Sequence, residues 1–253
     1  MRRLALILLA AGFAVSLGAA QPDGGADAGS GGGQVWVVDL DGPLGPASAD
    51  LIIRSIADAD DAGARALVIR MDTPGGLDKS MRDVVKEILA ADIPIITYVA
   101  PDGARAASAG TYIAYASHIV AMAPATNIGS STPVSIAPGP GTPTPGAPPG
   151  GQPAGDGGGA GAEQDGEPGD ARPSAPASTD AMTRKVINDA VAYLQSLAEL
   201  RGRNIEWAEE TVRYGANLRA SEALEQNVID LVASDLRTVL EQVDGRSVTM
   251  NSR

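Results

Sequence analysis

The sequence predicts an α/β domain, a parallel sheet flanked by helices and interrupted by a disordered Pro/Gly-rich insertion. Three observations predict it. Apolar runs over 35–40, 66–71, 93–99 and 118–122, the middle two rich in β-branched residues, read as strands. Stretches of helical periodicity alternate with them, which is the rhythm of a sheet covered by helices. The second and third strands run into loops of small residues, Pro74-Gly75-Gly76 and Gly103 to Gly110. Sites in such sheets gather at the carboxyl ends of strands, so these two loops can meet. The chain has 253 residues, enough for one domain with a sizeable core.

In chain order, Arg2-Arg3, an apolar run over 4–17 and Gly18-Ala19-Ala20 have the layout of a secretory signal peptide. The run is short for a membrane span. The expectation is export, with residues 1–20 as the signal and the mature chain on the periplasmic or extracytoplasmic side. Residues 21–33 are a Gly-rich linker, and the domain occupies 34–243. After the first strand, Leu51, Ile52, Ile56 and Ala59 mark a helix over 48–62, with Ser48 as its cap. A second helix is expected over 77–91 and a third, apolar all round, after Ser108. The stretch 126–134 reads as a short exposed strand that an extended peptide could pair with, which makes Gly129, Ser130 and Ser131 candidate substrate contacts beside Leu77.

Composition then changes. Residues 137–178 hold ten of the eighteen prolines and twelve glycines. Such a segment cannot bury enough surface to order itself. Helical spacing returns over 180–201 through Met182, Val186, Ala190, Val191, Leu194 and Leu197. Helices over 205–214 and 220–226, an edge strand over 228–233 and a helix over 235–243 close the domain. Residues 244–253 form a tail.

The composition excludes several chemistries. A net charge of −12 argues against nucleic-acid binding. The absence of cysteine removes thiol nucleophiles, disulfides and zinc–thiolate sites. The candidate bases are few: His118 is the one histidine, and Lys79, Lys86 and Lys185 are the only lysines.

Ser108 lies where the third strand gives way to a helix, among Ala and Gly. Unpaired N–H groups and the dipole at a helix N-terminus suit a nucleophilic oxygen and the oxyanion it creates. A plain N-cap or packing serine is the competing reading. An N–H of Gly75 or Gly76, with that of Ala109, would supply two oxyanion donors. Lys185 becomes a competent base if burial among Met182, Val186 and Ile187 keeps its amine neutral. Lys79, just past the glycine loop, is the rival base. Ten helical residues would carry His118 about 15 Å from Ser108.

Met71-Asp72-Thr73-Pro74-Gly75-Gly76, the block Gly103-Ala104-Arg105-Ala106-Ala107-Ser108-Ala109-Gly110-Thr111-Tyr112-Ile113-Ala114, Ala121-Met122-Ala123-Pro124 with Ile128-Gly129, and the stretch from Lys185 to Ala198 resemble the NfeD family. These are membrane-associated serine proteases of the ClpP/crotonase superfamily, often called stomatin-operon partner proteases. The resemblance implies a Ser-Lys dyad of Ser108 and Lys185, an oxyanion hole partly from Pro74-Gly75-Gly76, and cleavage of hydrophobic segments in partners such as stomatin-like membrane proteins. It implies no cofactor and no metal, and a homodimer. Long members continue into a membrane region, so a longer membrane-anchored form is expected. The insertion between Ser108 and Lys185 is longer than the family pattern suggests. A catalytically silent peptide-binding scaffold is the alternative of a different class. An acyl-CoA enzyme is a third, without the acidic residues and nucleotide pocket it would call for.

Overall fold

The structure is a computed structural model, and it describes residues 33–134 and 179–250. The expected signal peptide, most of the linker, the insertion and the last three residues lie outside the described residues. Five parallel strands form the main sheet in the order β1 (Val35–Asp41), β2 (Ala66–Asp72), β3 (Ile95–Val99), β5 (Ile119–Met122) and β8 (Leu231–Val232). The short strand β4 (Arg105–Ala106) belongs to a second sheet with β6 (Asn127–Gly129) and β7 (Asn217–Arg219), ordered β4-β6-β7.

Strand periodicity explains how the main sheet is buried on both sides. Along β2, Leu67, Ile69 and Met71 face one core, and Ala66 and Val68 face the other. The larger core takes the apolar faces of α1 (Pro46–Asp61), α2 (Asp78–Ala90), α3 (Ala109–Ala116), α4 (Thr179–Arg201) and α5 (Ile205–Arg213). The smaller one is closed by α7 (Leu236–Val243) through Val239, with Leu236 and Leu240 packed against it. Every residue of α3 is buried, which accounts for its lack of a polar face. The short α6 (Ala220–Glu225) links β7 to the final edge strand.

The expected helices and main-sheet strands are present, with ends that coincide or shift by up to three residues. The second, small sheet was not anticipated, and it corrects one reading. The stretch over 126–134 is not an open strand. Its ordered part, β6, is paired on both sides, parallel to β4 and antiparallel to β7. Gly129 itself is paired with Asn217 of β7. No helix among the described residues is long and apolar enough to cross a membrane.

Candidate active site

The two loops do meet. Thr73 N–H donates to Arg105 O (2.8 Å), and Ala107 N–H donates to Thr73 O (3.1 Å). These bonds stitch the glycine loop after β2 to the segment that carries Ser108. Ser108 N–H donates to Ser130 O (2.8 Å), which fixes the third side of the turn. The serine itself sits at φ 49° and ψ −113°, a backbone region that non-glycine residues rarely adopt. It occupies the N-cap position of α3, yet its side chain makes no capping hydrogen bond. Its Oγ is uncommitted among the described residues. The plain N-cap reading is therefore not met, because a capping serine would use that oxygen.

The glycine loop supplies one donor and withholds another. Gly75 N–H already donates to Thr73 Oγ1 (3.1 Å). It is not free for an oxyanion, which corrects the expectation that either glycine could serve. Gly75 matters for space: at φ 116°, a Cβ there would stand 2.6 Å from Ser108 Cβ. Gly76 forms a parallel bridge with Leu44, in which Leu44 N–H bonds Gly75 O and Leu77 N–H bonds Leu44 O. In that arrangement the bridging residue's own N–H turns away from its neighbour. Gly76 N–H thus points away from Leu44. Ala109 N–H is first in α3 and has no intrahelical acceptor. Neither N–H has a partner among the described residues.

Gly76, Ser108 and Ala109 line one pocket of about 230 Å³. Its apolar wall comes from Leu77, Met81, Tyr112 and Ala190, and Ser131, Pro133 and Val134 form its rim. Of the three expected peptide contacts after β6, only Ser131 lines the pocket. Its N–H is held by Thr211 O (2.9 Å), while Ser130 uses its carbonyl on Ser108. Tyr112 joins α3 to α4 by donating its hydroxyl to Ala190 O (3.2 Å), and burial pushes its pKa upward. Arg82 joins α2 to α4: its guanidinium bonds Asp78 (3.0 Å) and Asp189 (2.6 Å) and lies 4.4 Å over the Tyr193 ring. Sequence reasoning missed Arg82 and Ala190. The Asp78–Arg82 spacing of four residues was the available signal for a helix-surface pair.

The candidate bases separate cleanly. Lys79 Nζ is bonded to Asp83 at 2.6 Å in the solvent, and Lys86 lies 3.7 Å from the same carboxylate. His118 is at the other end of the sheet, where its Nδ1 accepts the Ile95 N–H (3.1 Å). Burial first, then the Arg201 charge, pulls its pKa down to about 4. Lys185 is exposed on the first turns of α4, and it does not line the pocket. Its expected apolar surroundings are not there: Met182 is 63% exposed and Val186 46%. The reason is helical geometry. Lys185 lies five residues before the buried Ala190, about 140° around the helix from it. Its sequence neighbours spread over several faces instead of enclosing it. The structure thus brings Ser108, Gly76 and Ala109 together and leaves Lys185 outside. No group of His, Cys, Asp or Glu among the described residues has a metal-binding arrangement.

Comparison with known proteins gives this site relatives. The family pattern described as NfeD1b, N-terminal domain, matches residues 34–139. The chain is 35% identical over 226 residues to the membrane-bound protease PH1510 of Pyrococcus horikoshii, covering 86% of this chain and 43% of that one. It is 36% identical over 97 residues to the membrane protein NfeD1b of Bacillus subtilis, covering 38% of this chain and 22% of that one. The chain therefore spans less than half the length of these curated relatives. Among solved structures it is similar to the 1510-N membrane-bound stomatin-specific protease in a serine-to-alanine mutant, with 33% identity, a TM-score of 0.66 and coverage of 87% and 89% of the two chains. A lysine-to-alanine mutant of 1510-N in complex with a substrate peptide gives the same identity and TM-score and covers 87% and 84%.

Proposed function

The chain belongs to the NfeD family, and from that premise we propose that it is a serine endopeptidase in which Ser108 attacks the peptide bond and Lys185 takes its proton. The observation that carries the reading is the state of Ser108. Its oxygen is uncommitted and its backbone is held in a strained region. It shares a pocket with two unused N–H groups. A serine placed for packing calls for none of these. The relatives solved as serine and lysine mutants support the choice of residue types.

The steps follow from the atoms. The Lys185 amine accepts the Ser108 hydroxyl proton as Oγ bonds to the carbonyl carbon. The oxyanion lies between Gly76 N–H and Ala109 N–H. The peptide C–N bond then breaks, and the leaving amine takes the proton from Lys185. Water, deprotonated by the same amine, hydrolyses the ester and frees Ser108. For the lysine to act, the first turns of α4 must rotate or unwind toward the pocket. Lys185 stands about one turn before Asp189, whose partner Arg82 lines the pocket. An apolar peptide docking on exposed Leu77, Val134, Met182 and Val186 would also exclude water from around the amine. That couples the base to a hydrophobic substrate. A stomatin-like membrane protein is the partner class proposed from the relative's specificity. A homodimer, export, and attachment to the membrane in a longer form belong to the same proposal.

One observation favours a second reading. Among the described residues no basic side chain hydrogen-bonds the Ser108 oxygen, as would be the case in a silent peptide-binding scaffold. A fluorophosphonate probe and an apolar peptide separate the two. The protease labels at Ser108 and cleaves the peptide, and Ser108→Ala does neither. A scaffold binds the peptide, resists the probe and leaves the peptide whole.

A further inference from the structure

His118 lies just beyond the far end of α3 from Ser108, at the amino end of β5. Its Nδ1 accepts the Ile95 N–H (3.1 Å), so the proton of the neutral ring sits on Nε2. That Nε2–H is buried and unpartnered among the described residues. Arg201 arrives from the end of α4. Its Nε donates to Ala116 O (2.8 Å) and its Nη1 to Thr249 O (3.2 Å), while its Nη2 is buried and unpartnered. His118, Arg201 and Arg246 line one polar cavity of about 220 Å³, together with Asp230 and residues 247–249. A third arginine, Arg203, is matched by Asp230 (2.9 Å), whose Oδ2 also accepts the Val120 N–H (2.7 Å). Neither Arg201 nor Arg246 has a carboxylate partner among the described residues, in a chain of net charge −12.

Two unmet donors beside one cavity call for an acceptor, and two unmatched guanidinium groups call for a negative one. We propose that this cavity binds a small tetrahedral oxyanion free in solution, held by His118 Nε2–H and Arg201 Nη2 with Arg246 at its edge. At roughly 30 Å³ per water, the cavity has room for such an ion and several waters. Water alone would satisfy the donors but leave the charges. Burial first, then the Arg203 charge, holds the Arg201 pKa down to about 10, the mark of a cation short of a counter-ion.

Apart from Val248, which packs against the smaller core, the cover of the site is weakly held. The single hydrogen bond between residues 247–250 and the rest of the described chain is the one from Arg201 Nη1 to Thr249 O. A neutral carbonyl at 3.2 Å is a poorer acceptor for guanidinium than an oxyanion. The ion enters by displacing it and so reaches the buried donors. The site is at the amino ends of the strands, away from Ser108, and it stands whether or not Ser108 is a nucleophile.

The lone histidine makes the test direct, because its ring resonances need no assignment. The full chain is titrated with inorganic phosphate, against sodium chloride at equal ionic strength. A saturable shift of the His118 Hε1 and Nε2 signals is expected with phosphate alone. Arg201→Leu should weaken the apparent affinity about tenfold or more. Because Arg201 also supports Ala116, the exposed Arg246→Ala is the second variant; it keeps the fold and weakens binding. Signals that follow ionic strength alone, or a phosphate response unchanged in both variants, would overturn the site.

Discussion

Ser108 and Lys185 sit in regions built to opposite standards. The Ser108 turn is fixed from three sides by backbone hydrogen bonds from Thr73, Ala107 and Ser108 itself, and it leads into a helix with no exposed residue. The start of α4 is exposed, and the Lys185 amine makes no ion pair or hydrogen bond among the described residues. Anchoring of α4 begins at Ile187, which packs against the larger core, and at Asn188, which accepts from Arg213 (3.0 Å), and continues at Asp189 and Ala190 through Arg82 and Tyr112. The contrast teaches that the two halves of the proposed dyad are prepared differently. The proposed nucleophile and oxyanion donors are built into the packed part of the fold. The base would come from a segment whose position the core does not set, so its arrival is the step that a substrate can control.

The largest effect expected from this contrast concerns the lysine. Lys185→Ala should reduce cleavage of an apolar peptide by about 10² to 10⁴. Its stability in urea should stay within about 0.5 kcal/mol of the parent, because the side chain is exposed. Lys185→Arg should be as inactive, since a guanidinium does not give up its proton. Undiminished cleavage in both variants would mean that the base lies elsewhere, and the contrast would lose its functional content.

Next in size is a change on the prepared side. A Cβ at Gly76 would lie 2.0 Å from Leu44 O and 2.6 Å from its carbonyl carbon. Backbone must therefore move, and Gly76→Ala should cost about 1–3 kcal/mol of stability. Cleavage should fall further than stability does, because the displaced N–H is the proposed oxyanion donor. A variant with parent stability and parent activity would show that this loop is as loosely set as the start of α4.

The same division decides what could be read from the sequence. Strands β2, β3 and β5 were legible because strands covered on both faces need continuous apolar runs, as in Ile95-Ile96-Thr97-Tyr98-Val99, and the edge strand β1 was legible from its own apolar run although one face is exposed. Ser108 and the Gly75-Gly76 pair were legible because small residues between a strand and a helix have few other uses. Strands β4, β6 and β7 have two or three residues each, too few for a period, so Gly129 looked like an open edge when it was a paired one. Which glycine donates was hidden too. It turns on Thr73 Oγ1 occupying the Gly75 N–H, a contact that no spacing announces. The lysine was legible as a residue but not as an environment. Apolar neighbours enclose a side chain only where the face they share is buried; Met182 shares a face with Lys185, but that face is open to solvent, and Val186 and Ile187 turn to other sides.

The smallest effect is also the sharpest test, because one substitution should act with opposite sign in the two regions. Ser108 is held at φ 49° and ψ −113°, where a residue with a Cβ carries about 1–3 kcal/mol of strain. Glycine adopts such angles freely, although it also loosens the unfolded chain by about 0.4–1 kcal/mol. The Ser108 oxygen makes no capping bond that the change would lose. Ser108→Gly should therefore abolish cleavage while raising stability by about 1 kcal/mol. Lys185 lies inside α4 in ordinary helix, where glycine costs roughly 1 kcal/mol through helix propensity alone. Lys185→Gly should thus lower stability by about as much as Ser108→Gly raises it. Urea unfolding of the two variants beside the parent measures both. If Ser108→Gly is destabilised like its counterpart, the turn holds no strain, and the serine is set no more firmly than the lysine.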